Sequence, residues 1–396
     1  MKISMNQHLV KLSNKSLVLH IIKEQAPLSR AEISQRSGLN KGTVSSLVNE
    51  LLEEKLCYES GPGESSGGRR PVMLLFNQLA GYSIGIDLGV NYILGLLTDL
   101  QGNIVIEKKL SCTTTAAEHV LGKVTDIIQQ LINEAPSSHY GIVGIGIGVP
   151  GVVDNTGTVL LAPNLGWKYL NLKEKIEASF QLPVIIENEA KAGAYGESKF
   201  GFNQNSENLI YVSAGIGIGV GIILKGELYR GVNGFSGEMG HMTIEINGKD
   251  CRCGNKGCWE LYSSEQALIE EAKNLNLAPN SETITLEWLI EQANKNNEQV
   301  IELFHTIGAF LGTGLNTIIN TFNPHRVIIG NRLAEAKKWL EDPILRIINQ
   351  NHFQFQREEL EVSFSKLTIY STALGVAAFS TEQFLKADYQ EIESSI

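Results

Sequence analysis

The stretch "CRCGNKGCWE", Cys251 to Glu260, puts three cysteines into eight positions of a 396-residue chain that holds five in all. Thiols at Cys251, Cys253 and Cys258 can pair as disulfides or converge on a metal. The odd cysteine count is against complete pairing. The first residues have no long apolar run and no cleavage site, which points to the reducing cytoplasm, where disulfides are rare. His241 stands ten residues before Cys251. Three thiolates and one imidazole suit tetrahedral Zn²⁺ with no open position, a structural site and not a catalytic one. Iron is less natural in such a Cys₃His cage. Gly254 and Gly257 permit the tight chain path, and Cys57 and Cys112 read as plain buried thiols.

Acids and amides on glycine-flanked loops surround this cluster. "VIIENEAKAGAYGE" runs from an apolar strand into a helix, with Glu187, Asn188 and Glu189 at the junction. "GFSGEMGHM" carries Glu238 and His241, and Glu260 closes the cysteine stretch. Carboxylates and amides match the vicinal hydroxyls of a sugar.

The elements that must position these residues are apolar and rich in glycine. "YSIGIDLGVNYILGLLTDLQGNIVIEKKL" reads as three strands joined by tight turns, with Asp87 and Gly89 in the first turn. "GIVGIGIGVPG" is a further strand ending at Pro150–Gly151, and "NLIYVSAGIGIGVGIIL" reads as one strand over 208–224. Repeated strand–glycine–strand units with intervening helices predict an α/β body of two related lobes. Its glycine loops are of the kind that wrap phosphates with backbone N–H groups. "TALGVAAFS" reads as a closing helix with a small-residue packing face.

The first 80 residues have a different texture. A helix is predicted over 13–25, burying Leu17, Val18, Ile21 and Ile22. "APL" breaks it. Ser29 and Glu32 then have capping-box spacing before a short helix that Gly38 ends. A third helix follows Asn40, with a buried stripe of Val44, Leu47, Val48, Leu51 and Leu52. Its other face carries Lys41, Thr43, Ser45, Ser46 and Asn49, short hydrogen-bonding groups that suit a major groove. "CYESGPGESSGGRRPVMLLF" reads as a wing, with Arg69 and Arg70 placed for phosphates or a minor groove. This order predicts a winged helix-turn-helix over 1–76, with Ser29, Arg30, Lys41, Gly42, Thr43, Ser45, Ser46, Asn49, Arg69 and Arg70 as DNA contacts.

The charge agrees in direction. Residues 1–80 are net +3 and the remainder net −13, so only the head suits a polyanion. The longest apolar stretches are short and broken by glycine, which excludes a membrane span.

"GEMGHM" followed by "CRCGNKGCWE", together with "IENEA" and the head, resembles the ROK family (repressors, open reading frames, kinases) over residues 10–396. The resemblance implies the two-lobed actin/hexokinase-like ATPase fold, with lobes of 80–190 plus the C-terminal helix and about 191–370. It implies sugar contacts at Asn188, Glu238, His241 and Glu260, with Asn164 of "APNLGW" close by, and zinc on His241, Cys251, Cys253 and Cys258. The family's kinases carry a catalytic Asp at the position of Glu189. They also carry D-x-G-G-T where this chain has "DLGVN", and a glycine pair where it has Gly330–Asn331. Val90 and Asn91 add bulk where a phosphate needs room, and the longer arm of Glu189 makes a poor base. Residue 191, often Asn in the family, is Lys. The resemblance is therefore to the family's repressors. It implies palindromic operator DNA as partner, xylose as inducer, a homodimer or dimer of dimers, and no catalytic residue. The alternatives are an active sugar kinase with an added DNA-binding head, and a repressor answering to glucose or an amino sugar.

Overall fold

The computed structural model describes residues 2–62, 71–112, 114–201, 206–278, 283–350 and 360–386. The head begins with α1 (Lys2–Gln25), which starts well before the apolar periodicity does. Its buried face is Val18, Leu19, Ile21 and Ile22; Leu17, expected inside, is 40% exposed. Strand β1 (Leu28–Ser29) leads into α2 (Arg30–Ser37), and α3 (Lys41–Glu53) follows. Ser29 and Glu32 form the capping box, Gly38 ends α2 in the left-handed region, and the Asn40 side chain caps α3. Strands β2 (Cys57–Pro62) and β3 (Val72–Phe76) pair antiparallel as the wing, and β1 adds to β3. Arg69 and Arg70 lie outside the described residues.

The body holds two five-stranded sheets of one plan. The first comprises β4 (Tyr82–Leu88), β5 (Tyr92–Asp99), β6 (Ile104–Ser111), and then, after α4 (Ala117–Glu134), β7 (Ile142–Val149). A small sheet of β8 (Val152–Val153), β9 (Val159–Ala162) and β10 (Trp167–Leu170) follows, then α5 (Leu172–Phe180) and β11 (Val184–Asn188), with order β11-β7-β4-β5-β6 in the main sheet. Helix α6 (Glu189–Phe200) leads to the second sheet.

There, residues 208–224 form two strands, not the one expected: β12 (Leu209–Ala214) and β13 (Ile218–Leu224) pair antiparallel around Gly215–Gly217. Glycines supply that turn without any polar residue to mark it. The remaining elements are β14 (Glu227–Leu228), α7 (Glu260–Ser263), α8 (Glu265–Asn274), α9 (Leu286–Asn294), α10 (Glu298–Phe322), β15 (Arg326–Gly330), α11 (Lys337–Asn349), β16 (Glu361–Phe364) and α12 (Ser371–Leu385). The second sheet has the order β14-β13-β12-β15-β16. Each sheet thus has two parallel and two antiparallel pairings, with one strand of the five, β5 or β13, running against the other four.

Helices α6 and α12 form the layer between the sheets. A Cβ on Gly85 would stand 2.0 Å from the Ala373 carbonyl oxygen, and one on Gly375 would stand 1.8 Å from that of Ala192. Only glycine permits this approach, so α12 lies close on β4 and on α6 together. Each lobe has its own apolar cluster, and the head has a third that takes in Leu100 and Val143 of the first lobe. Asp87 falls inside β4 and not in a turn. Among the described residues no helix is long and apolar enough to cross a membrane.

Candidate functional site

The three cysteines and His241 meet. Their ligand atoms all lie within 4.8 Å of one another. Cys251 Sγ is 3.6 Å from His241 Nδ1, and Cys253 Sγ is 3.7 Å from Cys258 Sγ. Zinc bonds of about 2.0–2.3 Å in a tetrahedron space the ligands about 3.5–3.8 Å apart, so these edges fit. Gly257 has φ +64°, and a Cβ there would meet the Glu245 carbonyl oxygen at 1.7 Å, which explains the glycine. Burial, then the neighbouring thiols, push the Cys258 thiol up to about 12, so a thiolate here wants a cation.

Glu260 adjoins this knot, with Oε1 3.4 Å from His241 Nδ1. Its Oε2 converges with the Asn164 amide on Gly217, where a Cβ would stand 2.9 Å from the former and 3.6 Å from the latter. Arg252 reaches across to Asn164 Oδ1 at 3.5 Å. Glu238 is exposed on the turn before His241. Asn188 caps α6: its Oδ1 accepts from the Ala190 and Lys191 N–H groups, and its Nδ2 donates to the Gly151 carbonyl. Among the described residues, the Gly151 carbonyl is the acceptor given for this amide nitrogen, which carries two hydrogens. The loop after β14 is tied back across the cleft, by Arg230 Nε to Glu187 Oε2 at 2.8 Å and by Asn155 to the Val232 carbonyl. Arg230 and Arg252 were not singled out in the sequence, because neither has a spacing pattern.

The floor of the cleft holds two carboxyls. Tyr92 donates to Asp87 Oδ2 at 2.6 Å, while Asp87 Oδ1 has no partner among the described residues. Burial pushes Asp87 up to about 7 against the pull of Tyr92. Burial, with Asp87 adding to it, pushes Glu189 up to about 8. Both glycine loops are covered by side chains. A Cβ on Gly89 would stand 2.4 Å from the Tyr92 ring, and one on Gly215 would stand 2.9 Å from Asn331 Nδ2. Asn331 also donates to Ser213 Oγ at 2.9 Å, and Ser213 bonds Glu189.

These carboxyls give stability a pH dependence. A folded-state pKa raised above the unfolded value means the folded chain holds its proton more tightly, so stability falls as pH climbs from about 4 towards about 8. Asp87→Asn is expected to stabilise the body by about 2 kcal/mol more at about pH 8.5 than at about pH 5. Urea unfolding at the two pH values checks this, and an equal effect at both contradicts it.

On the head, Lys41, Gly42, Ser46 and Asn49 are exposed and Thr43 and Ser45 half-buried, along one open side of α3. Arg30 bridges Asn49 Oδ1 at 3.2 Å and Glu59 Oε1 at 3.0 Å, linking α3 to the wing. Ser29 is a correction. It is 5% exposed and its hydroxyl is engaged with Glu32, so it serves as a helix cap and not as a groove contact.

The fold and site define a class: a winged helix-turn-helix on a two-lobed, sugar-kinase-like body. The chain belongs to the ROK family, whose profile matches residues 83–383, and a winged helix-turn-helix DNA-binding profile matches residues 13–56. It is 44% identical over 380 residues to the xylose repressor of Bacillus spizizenii, covering 96% of this chain and 98% of that protein. Its structure is similar to that of a ROK family transcriptional regulator, a homologue of the E. coli MLC protein, with TM-score 0.82 and 27% identity, covering 98% of this chain and all of that one. A ROK family glucokinase from Streptomyces griseus, in complex with glucose and AMPPNP, has TM-score 0.70 and 29% identity, covering 76% of this chain and all of that one.

Proposed function

We propose that the chain is a cytoplasmic transcriptional repressor of xylose-utilisation genes, released from its operator by xylose. The observation that carries this is one chain with a helix, α3, that leaves a polar face open on a winged helix-turn-helix, and a kinase-like cleft whose glycine loops lie against Tyr92 and Asn331. Its 44% identity to a named xylose repressor supports the sugar. In this reading residues 1–76 bind DNA. Residues 80–396 bind sugar and dimerise, so that two α3 helices address a palindrome. The sugar rests between Asn164, Asn188 and Glu189 on one side and Glu238, His241 and Glu260 on the other. The carboxylate oxygens of Glu238 and Glu260 accept hydrogen bonds from sugar hydroxyls, and the second Asn188 amide hydrogen donates one. Zn²⁺ on His241, Cys251, Cys253 and Cys258 fixes the second group.

The cleft binds without phosphorylating. A general base must be ionised to take a hydroxyl proton. Glu189 is one methylene longer than the Asp of the family's kinases, and burial, with Asp87 adding to it, raises its carboxyl and favours the neutral form. The expected result is no ADP release above background with ATP and either xylose or glucose. Turnover that Glu189→Gln abolishes would contradict it. For the repressor itself, selection from a random duplex library should enrich an inverted repeat, and added xylose should release it. No enrichment, or no release, overturns the reading.

A further inference from the structure

A cavity of about 780 Å³ lies away from the cleft, where the head meets the body. Helix α1 forms one wall, with Ser16, Leu19, His20 and Lys23 at the i, i+3, i+4, i+7 spacing of one helical face. The ends of α6 and α12 form another, with Ser198, Lys199, Glu382 and Lys386, and the Phe200 ring lies against Gly102 below them. Glu382 is fully engaged. Its Oε1 accepts from Tyr195 and from Lys199 at 3.0 Å, and its Oε2 from Lys386 at 3.3 Å. Against burial, the Lys199 charge and the Tyr195 bond hold this carboxyl down to about 2, so the field at that wall is positive. Lys23 brings a half-buried ammonium that has no acceptor among the described residues. Burial pushes it down from the usual lysine range, with Glu24 and Glu382 opposing. The Ser16 and Ser198 hydroxyls have no partner among the described residues either. Glu24 and Glu207, the cavity's other carboxylates, are exposed, where solvent screens them. The volume is that of a metabolite site, and the unmet groups are an ammonium and hydroxyls. An anion would give that ammonium a charge-assisted hydrogen bond.

The geometry points to a binding site for a small organic anion in this cavity: its carboxylate or phosphate group meets Lys23 from the head and Lys199 from the body, so that one ligand ties α1 to the α6–α12 layer. No residue of the cleft or of α3 lines the cavity, so this site is separate from both. A hydrogen bond to a charged group is stronger than a neutral one, and losing either ammonium should weaken binding by roughly 10- to 100-fold. Lys199 matters twice, since without it Lys386 alone answers the Glu382 charge.

The test is calorimetric titration of the full chain, at one fixed ionic strength, with citrate and with glycerol 3-phosphate. Melting temperature serves as the control on folding. Wild type should bind at least one of the two saturably, and the one it binds tells a carboxylate from a phosphate ester. Lys23→Met and Lys199→Met should each weaken that binding by about tenfold or more. Lys41→Met, which removes an exposed ammonium of α3, should leave it unchanged. If Lys23→Met melts too early to titrate, Lys23→Gln takes its place. Wild type that binds neither anion overturns the site. So does binding that the Lys23 substitution leaves intact, and so does binding indifferent to Lys199→Met, which marks a ligand held by the head alone. Binding that Lys41→Met weakens as much as Lys23→Met also overturns it, since that marks an adventitious ion on the polar face of α3.

Discussion

Cys258→Ser should strip the body of its metal, from one zinc per chain to none, and abolish xylose binding while the head still binds DNA. Cys258 is fully buried, and its thiol belongs to the set whose spacing fits a tetrahedron. Structural zinc contributes on the order of 10 kcal/mol of binding free energy in small peptides. The residues that lose their anchor are specific. Glu260 lies 3.4 Å from His241 Nδ1, and Glu238 is three positions before His241, so both acids of the proposed sugar site adjoin the knot. The head core is a separate cluster, built on α1, α3 and the wing, and shares no residue with the knot. Elemental analysis and calorimetry on the purified chain check the prediction. Wild type without zinc contradicts it, as does a Cys258→Ser protein with full xylose affinity.

That knot was legible in the sequence because its chemistry is local: three cysteines within eight positions and a histidine nearby leave few readings. The caps at Ser29 and Asn40 were legible for the same reason, since a cap is a matter of two or three consecutive residues. Other features depend on distant partners. The Gly215–Gly217 turn is covered by Asn331, so it needs no polar turn residue and looks like continuous strand. Early α1 residues carry no apolar stripe, and the start of the helix could not be seen in a periodicity they lack. Tyr92 sits in an apolar run as any strand tyrosine would. Only the fold shows its ring on Gly89 and its hydroxyl on Asp87. Lys191 is the sharpest case. Composition places lysine outside, and the acceptors that keep it inside come from Gly234, Glu187 and Glu238.

Operator DNA should weaken xylose binding by the factor by which xylose weakens operator binding, about 5- to 150-fold. Linkage requires that equality for any mechanism, but its size needs a physical path, and α12 offers one. At its start, Thr372 Oγ1 donates to the Glu189 carbonyl at the cleft floor, at 3.1 Å. At its end, the Phe384 ring packs edge-on against Tyr140, with centroids 4.8 Å apart. The Tyr140 hydroxyl donates to the carbonyl of Glu54, the residue that caps the C-terminus of α3, at 2.8 Å. One helix, pressed on β4 and α6 through glycines, therefore joins the cleft to α3, the helix proposed to enter the groove. It cannot bend to absorb a displacement at one end without opening those contacts. In the proposed reading, a sugar that drew Asn188 and Glu238 together would act on α6 and, through it, on α12. Asn188→Ala should bind operator but no longer release it, at a capping cost of about 1 kcal/mol in stability. Phe384→Ala should keep both ligands and lose most of the coupling, because it breaks the path and touches neither site. Titrating xylose with and without an operator duplex measures the factor. Equal xylose affinity in the two titrations refutes the coupling, and full coupling in Phe384→Ala refutes this route for it.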